Sequence, residues 1–197
     1  MAQSVTGPFA LHIKGKKNSI DGYAYACHAG AAQEGLCYTA SPRPICDAPY
    51  EFYFNYTSSD QETGEPLQPG YLTWLLTATG ENGLESYPSA LYFSPSWAPY
   101  WGSNVAPALI NVGVTAAVAL FFHPNNGTLF LYGGYDDTHF NKTRPTEPAP
   151  SLGNISNFHL CYQYTGFYYY RSISWVYTLP PQNPSCQPVD LSLESIS

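Results

Sequence analysis

The sequence predicts an all-β protein, built either as a two-sheet antiparallel sandwich or as a flattened barrel. Short stretches in which apolar and polar residues alternate recur along the chain, as expected of half-buried strands. Turn-forming sequence separates them, since the chain contains 16 glycines and 18 prolines. Aromatic residues, which favour strands, make up 16% of the chain and include 18 tyrosines. Many short strands with such turns indicate a sandwich or a barrel, and the sequence leaves that choice open.

The first half of the chain contains four predicted strands. Residues 9–14 alternate apolar and polar side chains, and the Gly-Lys-Lys-Asn sequence at 15–18 is typical of a turn after a strand. Aromatic and β-branched residues dominate the later strands, and the polar segment 58–70 between them predicts a surface loop. The predicted strands are residues 9–14, 20–27, 50–56 and 71–79.

The second half begins with an apolar run at 105–122, whose length also suits a membrane helix. Pro107 and Gly113 interrupt this run and no Lys or Arg flanks it, so two adjoining buried strands are the better interpretation. Proline-rich sequence at 95–107 and 142–157 predicts loops. The closing strands are predicted at residues 128–132, 158–164, 172–178 and 186–193.

The sequence offers one helix candidate, residues 29–36, where alanines are interrupted by Gly30 and followed by Gly35. Because glycine costs about 1 kcal/mol relative to alanine inside a helix, we expect one short helix of a turn or two there at most. No internal repeat and no linker-like segment divides the chain. We therefore expect a single β domain over residues 1–197, allowing for short disordered ends.

Charged residues are scarce, at 11% of the chain, and 7 basic against 14 acidic residues give a formal net charge of −7. No Lys or Arg occurs between Arg43 and Lys142, so a basic surface cannot extend across the middle of the chain. Nucleic acid is therefore not an expected partner. The high aromatic content excludes a disordered protein, and the low content of Ala, Glu, Lys, Leu and Arg excludes a coiled coil.

Four Asn-x-Ser/Thr sequences indicate N-linked glycans and therefore a secreted glycoprotein. Each lies in polar or turn-like sequence, where an acceptor would have to be, although such tripeptides also arise by chance. Asn183 is excluded because Pro184 follows it. The chain begins without a hydrophobic signal peptide, and we expect Met1 to precede a mature N-terminus. The expected acceptors are Asn55, Asn126, Asn141 and Asn154.

Five cysteines fit the secretory pathway, and we expect two disulfides and one remaining thiol. A bridge between Cys161 and Cys186 would clamp the closing strands. Two of Cys27, Cys37 and Cys46 would then form the second bridge. The chain has no Cys-x-x-Cys sequence and no Cys/His spacing typical of zinc, so no metal is expected.

The densest polar cluster is Tyr-Asp-Asp-Thr-His at 135–139, in a loop that follows a predicted strand. His139 near the carboxylate of Asp136 could transfer protons near neutral pH, and loops at a barrel mouth carry such groups. Asp-Asp-Thr is also a common turn sequence, and we weigh that interpretation more heavily. Two carboxylates are too few ligands to predict a calcium site.

Two aromatic clusters point to a ligand. Trp97, Tyr100 and Trp101 lie among prolines, where core packing does not require them. The Tyr-Tyr-Tyr-Arg sequence at 168–171 adds a cation that could polarise an oxygen or stack on a ring. Apolar pockets with a few polar groups hold small hydrophobic molecules. Tyrosines that simply cover strand faces explain the same residues equally well.

The chain also resembles a known family, and two stretches carry most of that resemblance. Residues 22–37 have the sequence Gly-Tyr-Ala-Tyr-Ala-Cys-His-Ala-Gly-Ala-Ala-Gln-Glu-Gly-Leu-Cys. Residues 174–176 are Ser-Trp-Val, and residues 180–186 are Pro-Pro-Gln-Asn-Pro-Ser-Cys. Over residues 9–191 the chain resembles a family of small secreted fungal proteins, most of them without an assigned function. The Cys-His-Ala-Gly-Ala-Ala block is the most specific part.

Members similar to this chain include the hetero-Diels–Alderases of tropolone–sesquiterpenoid biosynthesis. The resemblance implies that a hydroxymethyl tropolone loses water to give an o-quinone methide, which then adds across an alkene of a humulene-type macrocycle. Such a cycloaddition needs no metal, nucleophile or cofactor, in agreement with the lack of any standard catalytic motif in the sequence. The family motifs assign no catalytic residue here.

For this reaction we expect a pocket that holds a tropolone and a terpene in reacting geometry, with a hydrogen-bond donor to the tropolone oxygen. An acid or base would assist the loss of water. The expected pocket residues are Trp97, Tyr100, Trp101 and Tyr135. The expected catalytic groups are Arg171 or Tyr170 as the oxygen donor and His139 with Asp136 as the proton-transfer pair.

The alternative is a non-enzymatic secreted protein that binds cell-wall or other carbohydrate, or a host-directed interaction protein. It would use the same tyrosines and tryptophans as stacking platforms on an exposed sheet face. Aromatic side chains around an enclosed cavity would favour the enzyme. A flat, exposed row of them would favour glycan binding.

Overall fold

The computed structural model describes residues 3–41, 47–57, 69–80, 83–93, 103–113, 115–165 and 168–196. These residues form thirteen strands and two 3-10 turns, Ala48–Tyr50 and Asp137–His139, so the all-β prediction is confirmed. The strands are β1 (Gln3–Gly15), β2 (Asp21–Gly30), β3 (Gln33–Thr39), β4 (Phe52–Thr57), β5 (Gly70–Gly80), β6 (Gly83–Phe93), β7 (Val105–Val112), β8 (Phe121–Phe122), β9 (Leu129–Tyr132), β10 (Asn154–Ile155), β11 (Phe158–Thr165), β12 (Tyr168–Val176) and β13 (Gln187–Ser195).

Ten strands form one antiparallel sheet, in the order β11-β13-β1-β2-β3-β12-β7-β6-β5-β4, and nine strands close into a barrel. Closure depends on β1, which is 13 residues long and pairs with three strands, β2, β4 and β13. Its residues 3–9 pair with β4, and its residues 9–15 pair with β13. The pairing of β11 with β12 closes the other end of the strand order. The barrel alternative is thus the one that forms, and the two-sheet sandwich is not.

A small second sheet, in the order β10-β9-β8, lies beside the barrel. It is tied to the barrel where Thr128 bridges Ser192 of β13. The β8–β9 turn includes Gly127, whose φ of +67° is easily adopted only by glycine. A Cβ at this position would also lie 2.4 Å from the carbonyl oxygen of Leu193, so the turn packs directly on β13.

The barrel core is filled by side chains that alternate along the strands. In β13, Val189, Leu191 and Leu193 are buried, while the residues between them are partly exposed. Phe52 and Phe54 are fully buried in the same way on β4. Full burial of such a side chain contributes about 1.5–3 kcal/mol, so this periodic pattern drives the chain to close into a barrel. The period-2 alternation that predicted the strands is the alternation that fills the core.

The helix expected at residues 29–36 does not form. Those residues end β2, make a two-residue turn and begin β3, with Gly30 paired to Gln33. Ala32 occupies the left-handed region at a φ of 55°, which fits a tight hairpin turn and not a helix. Pairing of β3 with β7 and β12 on its other edge outweighs the helix propensity of a few alanines.

Strand β6 is missing from the sequence-based prediction. Its sequence mixes Pro88 with polar residues and lacks a clear alternation. It forms because it pairs along its length with β5 and then with β7. The apolar run at 105–122 forms β7 and, after an irregular segment, β8, in agreement with the expectation of two strands. Within the described parts of the chain, no helix is long and apolar enough to cross a membrane.

Two disulfides join neighbouring parts of the barrel. Cys27–Cys37 links β2 to β3 within their hairpin. Cys161–Cys186 links β11 to the residue before β13, which is the clamp expected on the closing strands. The remaining cysteine, Cys46, lies outside the described residues. Two bridges are typical of proteins that fold in an oxidising compartment.

Candidate functional site

Most of the pocket predicted from sequence lies outside the described residues. Trp97, Tyr100 and Trp101 fall outside the described residues. Tyr135 is described, and its side chain is exposed in the loop after β9, where its backbone bridges Ser151. Two glycines with positive φ, Gly133 and Gly134, precede it and turn the chain away from β9. The Tyr135 ring is therefore on the surface.

The predicted proton-transfer pair is formed. The Nδ1 atom of His139 lies 2.7 Å from Oδ2 of Asp136, in the 3-10 turn that follows β9. Asp136 also accepts hydrogen bonds from the backbone N–H and the hydroxyl of Thr138. The Thr138 hydroxyl, followed by His139, holds the pKa of the Asp136 carboxyl below its usual range. The segment is thus both a capped turn and a carboxylate–imidazole pair, with the His139 side chain exposed and the Asp136 side chain partly buried.

The predicted oxygen donors lie on β12 and not in the loop that carries His139. Tyr170 and Arg171 are adjacent in β12 and therefore point to opposite faces of the strand. The guanidinium of Arg171 lies 4.9 Å from the centre of the Tyr38 ring, which provides a cation–π contact. The strands beside β12 are β11, β7 and β3, whereas the loop of His139 follows β9, which pairs with β8 and β10. No interaction among the described residues joins the two groups.

Tyr170 belongs to a cluster of aromatic side chains drawn from three segments. Its ring stacks on that of Tyr168, with centroids 5.7 Å apart and planes inclined by 25°. Tyr25 of β2 contacts Tyr50 of the first 3-10 turn at a centroid distance of 5.6 Å. Burial raises the pKa of the Tyr170 hydroxyl, and the nearby Tyr168, Tyr25 and Glu34 raise it further. Tyr170 therefore sits at the centre of this cluster.

Two polar side chains border the same cluster. His28 contacts the ring of Tyr168 edge-on, with centroids 5.6 Å apart. Its Nδ1 atom is 3.6 Å from a carboxylate oxygen of Glu34, which is mostly buried in β3. Burial raises the pKa of Glu34, and the proximity of His28 opposes that shift. We call the whole group the tyrosine surface; it consists of Tyr25, Tyr50, Tyr168, Tyr170, His28 and Glu34.

The opposite face of the β11–β12 hairpin is also rich in tyrosine. Tyr162 and Tyr169 stack with centroids 6.3 Å apart and planes 16° from parallel. Tyr169 is 67% exposed, and Tyr164, which pairs with it across the hairpin, is equally open. Large exposed rings in a row are unusual on a surface without a partner. The end of this hairpin thus carries stacked tyrosines on both faces.

An open groove of about 570 Å³ lies at another end of the barrel. Sequence analysis did not predict it, because its walls come from three distant segments: the turn after β1, the start of β11 and the loop before β13. His159 carried no motif that could have marked it. The groove is lined by Lys16, Lys17, His159, Leu179, Pro181 and Pro188, among others.

A histidine between two carboxylates is the nearest approach to a metal site. The Nε2 atom of His12 lies 2.7 Å from Asp21 and its Nδ1 atom 3.2 Å from Glu194. Because both ring nitrogens already face a carboxylate, neither is directed at a vacant position. Across the described ranges, no three His, Cys, Asp or Glu side chains are grouped so that they could hold a metal ion.

The four predicted glycan acceptors differ in exposure. Asn126, Asn141 and Asn154 are exposed. The Oδ1 atom of Asn141 accepts hydrogen bonds from the backbone N–H and the hydroxyl of Thr143. The amide nitrogen of Asn141 takes no part in these two hydrogen bonds. Asn55 lies within β4, half-buried, and its Oδ1 atom is buried without a hydrogen-bond partner. The geometry therefore favours glycosylation at the first three positions.

Comparison with known proteins identifies a family but no activity. Neither a search of curated proteins nor a search of solved structures gave a match to the chain. A family model described as "Domain of unknown function (DUF7907)" matches residues 6–195, which is nearly the whole chain. That description names no ligand or reaction, so function must be argued from the geometry above. The chain belongs to the family described as Domain of unknown function (DUF7907).

Proposed function

We propose that the protein is a secreted, non-enzymatic glycoprotein that binds carbohydrate through its tyrosine surface. The observation that carries this proposal is the stacking of the exposed Tyr168 on the partly exposed Tyr170, with His28 and Glu34 at the border of the pair. Sugar rings present apolar C–H faces that pack on aromatic rings, and hydroxyl groups that need hydrogen-bond partners at the edge. The tyrosine surface offers both kinds of group side by side.

The polar groups of the tyrosine surface suit sugar hydroxyls. A Glu34 carboxylate accepts hydrogen bonds through two oxygens, while the His28 ring and the tyrosine hydroxyls can both donate and accept. Charge-assisted hydrogen bonds are about twice as strong as neutral ones, which favours a carboxylate as the anchoring group. Because Tyr168 is 43% exposed, one face of a sugar ring can pack on it without any rearrangement of the barrel.

Secretion is supported by the covalent features of the chain. Two disulfides fit an oxidising compartment, and three exposed Asn-x-Ser/Thr sites are open to glycan attachment. Charged residues make up only 11% of the chain, so attached glycans would supply solubility that the side chains do not. A protein of this kind would act outside the cell, where structural polysaccharides are abundant.

Tyr168→Ala is expected to weaken binding of a cell-wall oligosaccharide about 5- to 30-fold, since a stacked ring contributes about 1–2 kcal/mol. Tyr170→Ala should have a similar effect. Binding is measured by isothermal titration with chitin and β-glucan hexasaccharides chosen from a glycan array. Tyr132→Ala is the matched control, because Tyr132 is also an exposed tyrosine, at 59%, but lies on β9 and not in the tyrosine surface. An array without binding, or equal losses for the control, would contradict the proposal.

A hetero-Diels–Alderase is the second function that we propose, and the Asp136–His139 pair favours it. The Nδ1 atom of His139 lies 2.7 Å from Oδ2 of Asp136, and an imidazole oriented by a carboxylate is a common general acid–base arrangement in enzymes. In the first step the hydroxymethyl group of the tropolone would lose its hydroxyl, and the ring hydroxyl would lose its proton. The two leave together as water, and the o-quinone methide remains. One C–C and one C–O bond to the alkene would then form with no further loss of atoms. The tropolone and the terpene are thus the proposed substrates, and no cofactor is needed.

The enzymatic proposal is tested by incubating the protein with a hydroxymethyl tropolone and a humulene-type alcohol, followed by chiral analysis of the product. We expect His139→Ala to slow product formation by about 10²–10⁴-fold, as is typical when a general acid or base is removed. Arg171→Ala should alter rate or stereochemistry if that side chain contacts the tropolone oxygen. Product formation that both variants leave unchanged in rate and stereochemistry would refute this assignment. Glycan binding without turnover would favour the first proposal.

A further inference from the structure

The groove near β1 has the chemical character of a small-molecule site distinct from the tyrosine surface. Its volume of about 570 Å³ lies within the range of ligand pockets in proteins. Three segments enclose it, and each contributes a different kind of group. Lys16 and Lys17 come from the turn after β1, His159 comes from β11, and prolines come from the loop before β13 and from the start of β13.

His159 supplies a hydrogen-bond acceptor. Its side chain is buried, with 4% of the residue exposed, and its Nδ1 atom lies 3.0 Å from the carbonyl oxygen of Asn157. A carbonyl oxygen only accepts, so Nδ1 must carry the proton and donate it. In the uncharged ring the Nε2 atom then keeps its lone pair. Burial also lowers the pKa of His159, which keeps the ring uncharged.

The lysines supply positive charge in a protein that is otherwise acidic. Three of the seven basic residues of the chain, Lys14, Lys16 and Lys17, fall within four positions of this turn. The Nζ atom of Lys16 donates to the carbonyl oxygen of Ser156 at 2.6 Å and lies 3.3 Å from a carboxylate oxygen of Asp190. Among the described residues, no carboxylate forms an ion pair with Lys17. Lys17 therefore remains available to an anion.

The remaining wall is apolar and flat. Leu179, Pro180, Pro181 and Pro188 line it, and Leu179 is 66% exposed. A leucine this exposed, beside several proline rings, forms an apolar patch that a ligand could cover. Proline rings are rigid, so a planar molecule can pack against them with little loss of conformational entropy.

We infer that this groove binds a planar aromatic carboxylate that also carries a hydroxyl group. The apolar ring system packs on the prolines and Leu179. The carboxylate meets Lys17, and the hydroxyl donates to Nε2 of His159. The site uses none of the residues of the tyrosine surface, so it operates whether or not that surface binds sugar.

The test uses 6-hydroxy-2-naphthoate as the probe, with 2-naphthoate and 2-naphthol as ligands that each lack one polar group. Affinities are measured by NMR titration of the intact, disulfide-bonded protein. We expect 6-hydroxy-2-naphthoate to bind about 3- to 10-fold more tightly than either analogue, with shifts centred on residues 156–159 and 179–188. Equal affinities for all three ligands, or shifts confined to the tyrosine surface, would overturn the inference.

Substitutions in the protein test the same contacts as the changes in the ligand. Lys17→Gln should weaken the binding of the two carboxylates about 3- to 5-fold and leave the affinity for 2-naphthol unchanged, because only the carboxylates interact with the positive charge. Lys142→Gln is the control, since it removes a basic residue from an exposed loop outside the groove. Equal effects of the two substitutions would show a general charge effect and would also overturn the inference. The comparison of 2-naphthoate with its hydroxylated form tests the His159 contact without altering a buried residue.

Discussion

Replacement of Phe158 by alanine is expected to lower the free energy of unfolding by about 3–5 kcal/mol. The Phe158 side chain is fully buried in the barrel core. Its ring meets Trp175 edge-on with centroids 5.1 Å apart, and Phe93 at 6.1 Å. Alanine would leave a cavity beside the rings of Trp175 and Phe93, and a closed barrel cannot easily collapse to fill it. The loss is measured by urea unfolding followed by tryptophan fluorescence.

Phe140→Ala is the matched control for that experiment. Phe140 is 51% exposed in the loop after the second 3-10 turn, so the same change there should alter stability by less than about 0.5 kcal/mol. A loss at Phe158 no larger than the loss at Phe140 would mean that the barrel core is not packed as described.

Removal of the Cys161–Cys186 bridge by a double alanine substitution is expected to cost about 3–4 kcal/mol. The bridge closes a loop with a sequence separation of 25, and cross-linking such a loop restricts the unfolded chain. Removal of Cys27–Cys37, with a separation of 10, should cost about 2.5–3 kcal/mol. Alanine is preferred to serine because Cys161 is fully buried beside Val105 and Val176, where a hydroxyl would lack a partner.

Cys46 is retained in both double variants, so that each comparison removes one bridge and nothing else. Stability is measured by urea unfolding without reductant, and non-reduced peptide mapping verifies the bridge that remains. Unchanged stability in both variants, or peptides that pair Cys46 with another cysteine, would contradict the two bridges described. A larger loss for the shorter loop would contradict the loop-entropy account.

The tyrosine surface and the groove depend on different elements of the barrel, which makes their functions separable. The tyrosine surface uses β2, β3, the first 3-10 turn and the start of β12. The groove uses the turn after β1 and the loop before β13. Substitutions such as Tyr168→Ala and Lys17→Gln should therefore act independently, because distant sites without shared partners are generally additive.

The sequence anticipated part of the candidate site and missed the rest for a specific reason. Tyr170 and its neighbours stood out as a run of aromatic residues, and Asp136 with His139 stood out as a polar cluster. Tyr25 did not, because it looks like an ordinary strand residue, and Glu34 did not, because it falls in the segment expected to be helical. They become part of the site only when β3 pairs with β12 at Cys37 and Ser172.

The expected helix at 29–36 shows the same limit in the fold. Alanine content is a local signal, and it indicated helix. Pairing of residues 33–35 with β7 is a contact between segments far apart in sequence, and it imposed a strand. The strand β6 is the converse case, since its weak pattern gave no signal until β5 and β7 paired with it.

The sequence by itself determined the all-β class, most of the strands, the acidic and aromatic character and the number of disulfides. These properties follow from composition and from an alternation that each segment carries locally. The tertiary structure alone decided that the sheet closes as a barrel, that Cys27 pairs with Cys37, and that the tyrosines and the groove residues converge. Each of these depends on pairing between distant segments, whose free energy comes from shared burial and is not encoded in any one of them.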